Sequence, residues 1–207
     1  MAEARPRCRL YLQLPVMPSP QAEEILKQAG KHACCVLLCP HDGHIDESRA
    51  ARLLRLAREH DLTCLVKDDA ALAKKIGADG VHLDANRTAY ARARAILGDD
   101  ATIGANCGLG RHDAMVLAEI GADYVAFGPN LTEVEAEGDE RAELIAWWSE
   151  IFVIPCIAWD VSSAEEAARL ADLGADFVAV PQTLWQADDA LDRVAAMDRV
   201  LRERRTV

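Results

Sequence analysis

A lysine and two aspartates stand at the ends of two neighbouring apolar segments of this sequence. Lys67 closes the run Thr63–Lys67, Asp68 follows it, and Asp84 closes the run Gly80–Asp84. If these runs are adjacent strands of one sheet, their ends lie about 5 Å apart. Two carboxylates that close either share a divalent cation such as Mg²⁺ or raise the pKa of one of them. Asp68 and Asp84 are therefore candidate metal ligands, and Asp68 is also a candidate catalytic residue.

Each of these side chains also has a structural interpretation. Asp68 and Asp69 precede Ala-Ala-Leu-Ala, a good helix start, so they could serve only as helix caps. Lys67 is a catalytic candidate if it is desolvated and can form a Schiff base; otherwise it forms an ion pair with Asp68 or Asp84. His82, inside the apolar sequence Val-His-Leu, is either a catalytic base or a hydrogen-bonded histidine of the core. The sequence alone leaves both interpretations open.

Further polar residues follow the later apolar segments. Asn106 is a fourth catalytic candidate, and we expect Gly128, Asp160 and Gln182 to join Asp84 in binding a substrate. All of them stand at the carboxyl ends of predicted strands. A barrel of parallel strands builds its active site at that end.

A repeated phrase indicates the architecture. The sequences IGADGVHL, IGADYVAF and LGADFVAV, which begin at Ile76, Ile120 and Leu173, each follow a helical pattern. We interpret each phrase as a helix that ends at a left-handed glycine and is followed by a buried strand. The aspartates of the phrase stand at strand beginnings, away from the active-site end. We therefore interpret them as turn and capping residues rather than catalytic groups.

Eight short apolar runs alternate with amphipathic segments along the chain. This arrangement predicts an α/β protein with the (β/α)₈ TIM-barrel fold, a single domain over residues 1–207, with residues 1–9 as a flexible N-terminus. The predicted strands are Leu10–Leu14, Ala33–Cys39, Thr63–Lys67, Gly80–Asp84, Thr102–Asn106, Asp123–Gly128, Ile151–Ala158 and Phe177–Val180. Predicted helices include Pro20–Ala29, Asp46–Glu59, Arg111–Ile120, Ser163–Leu173 and Asp188–Arg202.

Composition argues against several classes of partner. The 34 acidic residues outnumber the 23 basic ones, and a net charge of −11 disfavours nucleic acid and anionic membranes. No apolar run approaches the ~20 residues that span a bilayer, and the first one is too short for a signal peptide. Seven cysteines agree with reduced thiols. We expect a cytoplasmic protein with a small-molecule ligand; whether it forms a homo-oligomer is left open.

From Leu10 to about Trp185 the sequence resembles the thiamine-phosphate synthase and thiazole tautomerase family. The resemblance is carried by GADGVHL, by Ile103-Gly104, by GADYVAFGP and by GADFVAV, in that order and spacing. It implies a (β/α)₈ barrel and a transferase of thiamine biosynthesis. Such synthases join a hydroxymethylpyrimidine pyrophosphate to a thiazole phosphate, with Mg²⁺ and release of pyrophosphate.

The metal and catalytic positions depart from the family's pattern. The Asn-Asp of strand three is Lys67-Asp68 here, so one of the two residues is kept. The second metal aspartate falls on Arg87, and Asp84 is the available substitute. The serine of strand five is Asn106. The resemblance therefore implies a metal site that is at best rearranged.

The phosphate-binding turns depart further. The family's Gly-Gly turn after strand seven is Asp160-Val161 here, and its Val-Ser turn after strand eight is Pro181-Gln182. Proline lacks an N–H donor. A like charge at close range costs about 4 kcal/mol at an effective dielectric constant of about 20. The acidic stretch Thr132–Glu140, in place of a Thr-x-Thr-Lys loop, adds repulsion.

These departures predict a divergent family member whose ligand is unphosphorylated or cationic. Three activities remain open from the sequence. The chain is a working synthase with rearranged ligands, a lyase or aldolase that uses Lys67, or a barrel without catalytic activity.

Overall fold

The computed structural model describes residues 7–18, 20–128 and 140–204. Within them every strand is followed by a helix, and the order β-α repeats eight times. The strands are β1 (Arg9–Pro15), β2 (Ala33–Cys39), β3 (Thr63–Lys67), β4 (Gly80–Asp84), β5 (Thr102–Asn106), β6 (Tyr124–Phe127), β7 (Cys156–Ala158) and β8 (Phe177–Val180). The helices are α1 (Gln21–Ala29), α2 (Glu47–Glu59), α3 (Ala70–Ile76), α4 (Arg87–Leu97), α5 (Arg111–Glu119), α6 (Glu140–Ile151), α7 (Ala164–Asp172) and α8 (Ala190–Glu203).

The strands form one closed, parallel barrel. Each strand pairs with the next in chain order, and β1 pairs with β8 to complete the circle. This confirms the predicted α/β class and (β/α)₈ TIM-barrel fold. None of the helices in the described ranges is long and apolar enough to cross a membrane.

The three repeated Gly-Ala-Asp phrases form the predicted turns. Gly77, Gly121 and Gly174 follow the ends of α3, α5 and α7 with φ angles of 77°, 96° and 103°. Asp79, the last residue of the first phrase, accepts a hydrogen bond from the N–H of Cys64 at 2.7 Å and donates its own N–H to the same residue's carbonyl at 2.9 Å. The other two phrases repeat this pair of bonds, which ties each new strand to the one before it.

One predicted strand has a wrong start. The seventh strand was expected over Ile151–Ala158, but α6 continues to Ile151 and β7 begins only at Cys156. The apolar run misleads because its first part is not buried: Ile151 is 61% exposed and Val153 fully exposed. At the N-terminus, β1 begins at Arg9, inside the segment 1–9 expected to be flexible; residues 1–6 lie outside the described part.

The interior of the barrel holds a cluster of four ring side chains. The Tyr11 and Tyr124 hydroxyls lie 3.2 Å apart, and the Tyr124 hydroxyl is 2.8 Å from Nδ1 of His82. His82 stacks on Trp159 with a 4.3 Å centroid separation and a 6° interplanar angle. Glycine is required at position 104, because a Cβ there would lie 2.0 Å from the Tyr124 ring.

Candidate functional site

A cavity of about 700 Å³ opens at the carboxyl ends of the strands, and we call it the mouth cavity. Five of the eight predicted site residues line it, and Asp68 contacts two of them. Trp159 also lines it, as do Gln13 and Asp113, which sequence reasoning did not single out. The predicted residues on its wall are Lys67, Asp84, Asn106, Asp160 and Gln182.

Lys67 forms ion pairs with both candidate metal ligands. Its Nζ lies 3.1 Å from Oδ2 of Asp68 and 3.0 Å from Oδ1 of Asp84. The lysine side chain is 22% exposed, whereas that of Asp84 is 76% exposed. Burial alone would lower the pKa of Lys67, but the two carboxylates more than offset it, so this pKa lies above its ordinary value. The ion-pair interpretation of Lys67 is thereby confirmed.

A protonated lysine does not suit Schiff-base chemistry. A nucleophilic lysine needs a lowered pKa, so that the neutral amine is available at neutral pH. The paired carboxylates raise the pKa of Lys67 instead. The geometry therefore disfavours the lyase or aldolase alternative.

Asp68 connects the end of β3 to the end of β4. It has a left-handed backbone with a φ of 55°. Its N–H donates to the His82 carbonyl at 3.0 Å, and its Oδ1 accepts the N–H of Asp84 at 3.1 Å. The helix-cap role belongs to Asp69, whose carboxylate accepts the Leu72 N–H at 2.8 Å. Asp68 therefore acts at the mouth rather than as the side-chain cap of α3.

The resemblance implies Mg²⁺ at Asp68 and Asp84, but their arrangement does not fit it. The Lys67 ammonium lies within 3.1 Å of both carboxylates, where a shared cation would lie. Asp68 already uses its other oxygen to accept a backbone N–H. Over the described ranges, no three His, Cys, Asp or Glu side chains form a group that could hold a metal ion.

Asp160 lies two residues after the end of β7 and lines the mouth cavity. Its φ is 57°, and its Oδ1 accepts a hydrogen bond from Nε2 of Gln13 at 2.7 Å. Burial raises the pKa of Asp160 above its ordinary value, and the Gln13 bond with the charges of Arg141 and Lys67 offsets only part of that rise. The adjacent Val161 N–H is not available to a ligand, because it donates to the Ala179 carbonyl at 2.9 Å.

His82 is a core histidine and does not line the mouth cavity. It is fully buried, with Nδ1 on the Tyr124 hydroxyl and the ring face on Trp159. Burial, with a smaller contribution from Lys67, holds the pKa of His82 well below its usual value, so the ring is neutral. Its Nε2 has no hydrogen-bond partner within the described ranges. The structure thus supports the core interpretation over the catalytic one.

The three remaining predicted site residues differ in their surroundings. Gly128 is needed for packing, since a Cβ there would lie 2.7 Å from Cβ of Trp159. Asn106 lines the mouth cavity, and its Oδ1 accepts the Gly108 N–H at 3.1 Å. Gln182 lines the cavity as the first residue of a short 3₁₀ helix.

Arg141 supports the wall of the site, and nothing in the sequence pattern indicated it. Its Nη1 donates to the Trp159 carbonyl at 2.6 Å, and its Nη2 pairs with Glu166 of α7. These bonds fix the backbone just before Asp160. The predicted acidic stretch Thr132–Glu140 lies outside the described residues, except for Glu140, the first residue of α6.

Comparison with known proteins identifies the family. Residues 43–184 match the family model described as thiamine monophosphate synthase. The chain belongs to the thiamine monophosphate synthase family. A thiamine-phosphate synthase from Rhodospirillum centenum is 39% identical over 206 residues, which cover 94% of this chain and 98% of that protein. One from Erythrobacter litoralis is 37% identical over 200 residues, covering 91% and 93%.

Solved structures show the same barrel. Thiamine phosphate pyrophosphorylase from Pyrococcus furiosus superposes with a TM-score of 0.75 at 22% identity, covering 94% of this chain and 96% of that one. A mutant tryptophan synthase α-subunit from the same organism gives a TM-score of 0.73 at 13% identity, covering 96% and 98%. At these identities the likeness shows the fold alone. With the family match, the resemblance seen in the repeated phrases is confirmed: this is a thiamine-phosphate-synthase-like protein.

Proposed function

We propose that this member of the thiamine monophosphate synthase family binds an unphosphorylated, neutral or cationic small molecule in the mouth cavity. The observation that carries the proposal is the turn after β7. Asp160 directs a carboxylate into the cavity there, and the Val161 N–H is already bonded to Ala179. A phosphoryl group would meet a negative charge where a free amide would be needed.

The rest of the described cavity wall also disfavours a phosphorylated ligand. The turn after β8 begins with Pro181, which has no N–H to offer. Three aspartates line the cavity, and Lys67, its one basic side chain in the described ranges, is neutralised by Asp68 and Asp84. The negative electrostatic potential of such a cleft attracts cations and repels anions.

The wall also offers features that suit an organic ligand. Trp159 gives an apolar ring surface at the floor of the mouth cavity, and Gln13 and Asn106 supply amide groups on other strands. In small-molecule sites, a few converging polar groups fix the orientation of a ligand that packs on an apolar surface. We therefore expect a flat, nitrogen-containing compound, with its positive or hydrogen-bond-donating edge toward Asp160. We place the chain in the cytoplasm, an assignment supported by its seven free cysteines.

The second candidate function is a magnesium-dependent thiamine-phosphate synthase. Identities of 37–39% to proteins of that name over nine-tenths of the chain favour it. The two candidates differ in a measurable quantity, the affinity for phosphate and pyrophosphate.

The test combines titration with turnover. Inorganic phosphate and pyrophosphate are titrated calorimetrically into the wild type, Asp160→Gly and Asp160→Asn, with and without Mg²⁺. We expect no measurable binding to the wild type and a gain in both variants, larger in Asp160→Gly, which also leaves the backbone bare. Asp99→Asn removes the same charge from an exposed turn at the opposite end of the barrel and is the matched control.

Turnover decides between the two functions. Wild-type protein that joins hydroxymethylpyrimidine pyrophosphate to thiazole phosphate with Mg²⁺ at an ordinary enzymatic rate, about 1 s⁻¹ or more, would overturn the proposal. Tight pyrophosphate binding by the wild type that Asp160→Asn leaves unchanged would do the same.

A further inference from the structure

The Lys67 ammonium has a defined geometry at the mouth. It lies at the ends of two adjacent strands and bonds one oxygen of Asp68 and one of Asp84, at 3.1 and 3.0 Å. We propose that Lys67 is a tethered substitute for a divalent cation: its ammonium holds the two carboxylates together and makes the mouth of this barrel independent of metal.

The contacts of Asp68 support this assignment. Its backbone is held in the left-handed region, with its N–H on the His82 carbonyl. Its Oδ1 is bound to the N–H of Asp84, which leaves Oδ2 directed at Lys67. One carboxylate oxygen is thus used by the backbone and the other by the lysine. A metal ion shared by the two acids would have to displace Lys67.

The position of Lys67 in the barrel also supports it. Lys67 pairs with His82 of β4 in the strand register, so its side chain rises from the barrel wall next to Asp84. Its stem is largely buried, and it cannot swing far into solvent without exposing that stem. A charge fixed by the chain needs no association from solution, whereas a bound ion does. The same two acids therefore share one positive charge at any metal concentration.

This inference does not depend on the proposed ligand. A mouth that binds phosphate without metal would disprove the proposed function and leave the role of Lys67 intact. Conversely, a metal bound at Asp84 would disprove the role of Lys67 without showing that phosphate binds. The experiment therefore measures metal binding alone.

Mn²⁺ serves as the probe, followed by electron paramagnetic resonance and by titration calorimetry. The proteins are the wild type, Lys67→Asn, Lys67→Arg, Asp84→Asn and the double variant Lys67→Asn/Asp84→Asn. We expect no binding to the wild type that depends on Asp84. Removing a unit charge about 4 Å from the ion is worth at most about a thousandfold in affinity. Lys67→Asn is expected to gain about tenfold or more over the wild type.

The controls separate charge from shape. Lys67→Arg keeps the positive charge and is expected to bind no better than the wild type. The double variant is expected to lose what Lys67→Asn gains. Wild-type Mn²⁺ binding that Asp84→Asn abolishes would overturn the proposal, and so would a folded Lys67→Asn that binds no better than the wild type. If Lys67→Asn does not fold, the proposal is still tested by comparing Mn²⁺ binding to the wild type with Mn²⁺ binding to Asp84→Asn.

Discussion

The two ends of the barrel place aspartates in different surroundings. At the amino-terminal end, three aspartates, one in each Gly-Ala-Asp phrase, make the same pair of backbone hydrogen bonds to the preceding strand; they are Asp79, Asp123 and Asp176. At the carboxyl-terminal end, Asp68, Asp84 and Asp160 each make different bonds. The Asp68 carboxylate bonds a backbone N–H of β4 and the Lys67 ammonium. The Asp84 carboxylate bonds only Lys67, and that of Asp160 bonds Gln13.

The difference separates what the fold requires from what the site requires. A bond that recurs in all three copies of the phrase satisfies the backbone of a strand and would be needed whatever the protein binds. Bonds that occur once, two of them on left-handed aspartates, have no such architectural reason. Backbone strain of this kind collects at functional sites, where the surrounding structure holds it in place. The mouth is thus the end of the molecule that carries the specificity.

The largest effect on stability is expected at the amino-terminal end. Asp79→Ala removes the acceptor of the Cys64 N–H, which belongs to a fully buried residue. We expect a loss of about 1–3 kcal/mol in the free energy of unfolding, measured by urea denaturation. Asp79→Asn keeps an acceptor oxygen and is expected to lose less, and Asp99→Ala is the exposed control. An Asp79→Ala variant as stable as the wild type would remove the distinction between the two ends.

The repeated end is also the part that the sequence could predict. The Gly-Ala-Asp phrase combines a helix-ending glycine with a capping aspartate, and both act within one strand and its neighbour. Local chemistry therefore predicted these three turns and the strands that follow them. The failure at β7 has the same origin: an apolar run was taken for buried, but burial depends on where α6 ends, and Ile151 still belongs to that helix.

The mouth could be predicted only in part. Strand-end positions identified Lys67, Asp84 and Asp160, because the carboxyl ends of parallel strands must meet. Gln13 and Arg141 were missed, since their partners lie on other elements and follow no local sequence pattern. Gln13 lies 147 positions from Asp160 in the chain, and Arg141 acts through a backbone carbonyl that no side-chain pattern reveals.

A smaller, pH-dependent effect is expected at Asp160. The folded protein raises the pKa of this carboxyl, so the native state holds its proton more tightly than the unfolded chain does. Stability therefore falls as pH rises through the interval between the ordinary and the raised pKa. Asp160→Asn stays neutral and can still accept the Gln13 bond. We expect it to be more stable than the wild type at pH 7.

Urea denaturation between pH 3.5 and 7 measures this difference. The advantage of Asp160→Asn is expected to shrink toward acid and to vanish below the ordinary aspartate pKa of about 3.9. An advantage that grows toward acid would mean that Asp160 is stabilised as the anion. In that case Asp160 would resemble the capping aspartates of the other end.

The smallest stability effect is expected at Asp84, and it tests the comparison most directly. Its side chain is 76% exposed, and an ion pair that open to water is worth at most about 1 kcal/mol. Asp84→Asn is expected to change the free energy of unfolding by about 0.5 kcal/mol or less, and less again in high salt. A loss as large as that of Asp79→Ala would show that the Lys67 bridge is an architectural bond, held for stability. A negligible loss leaves the bridge as a property of the site, retained for what the mouth binds.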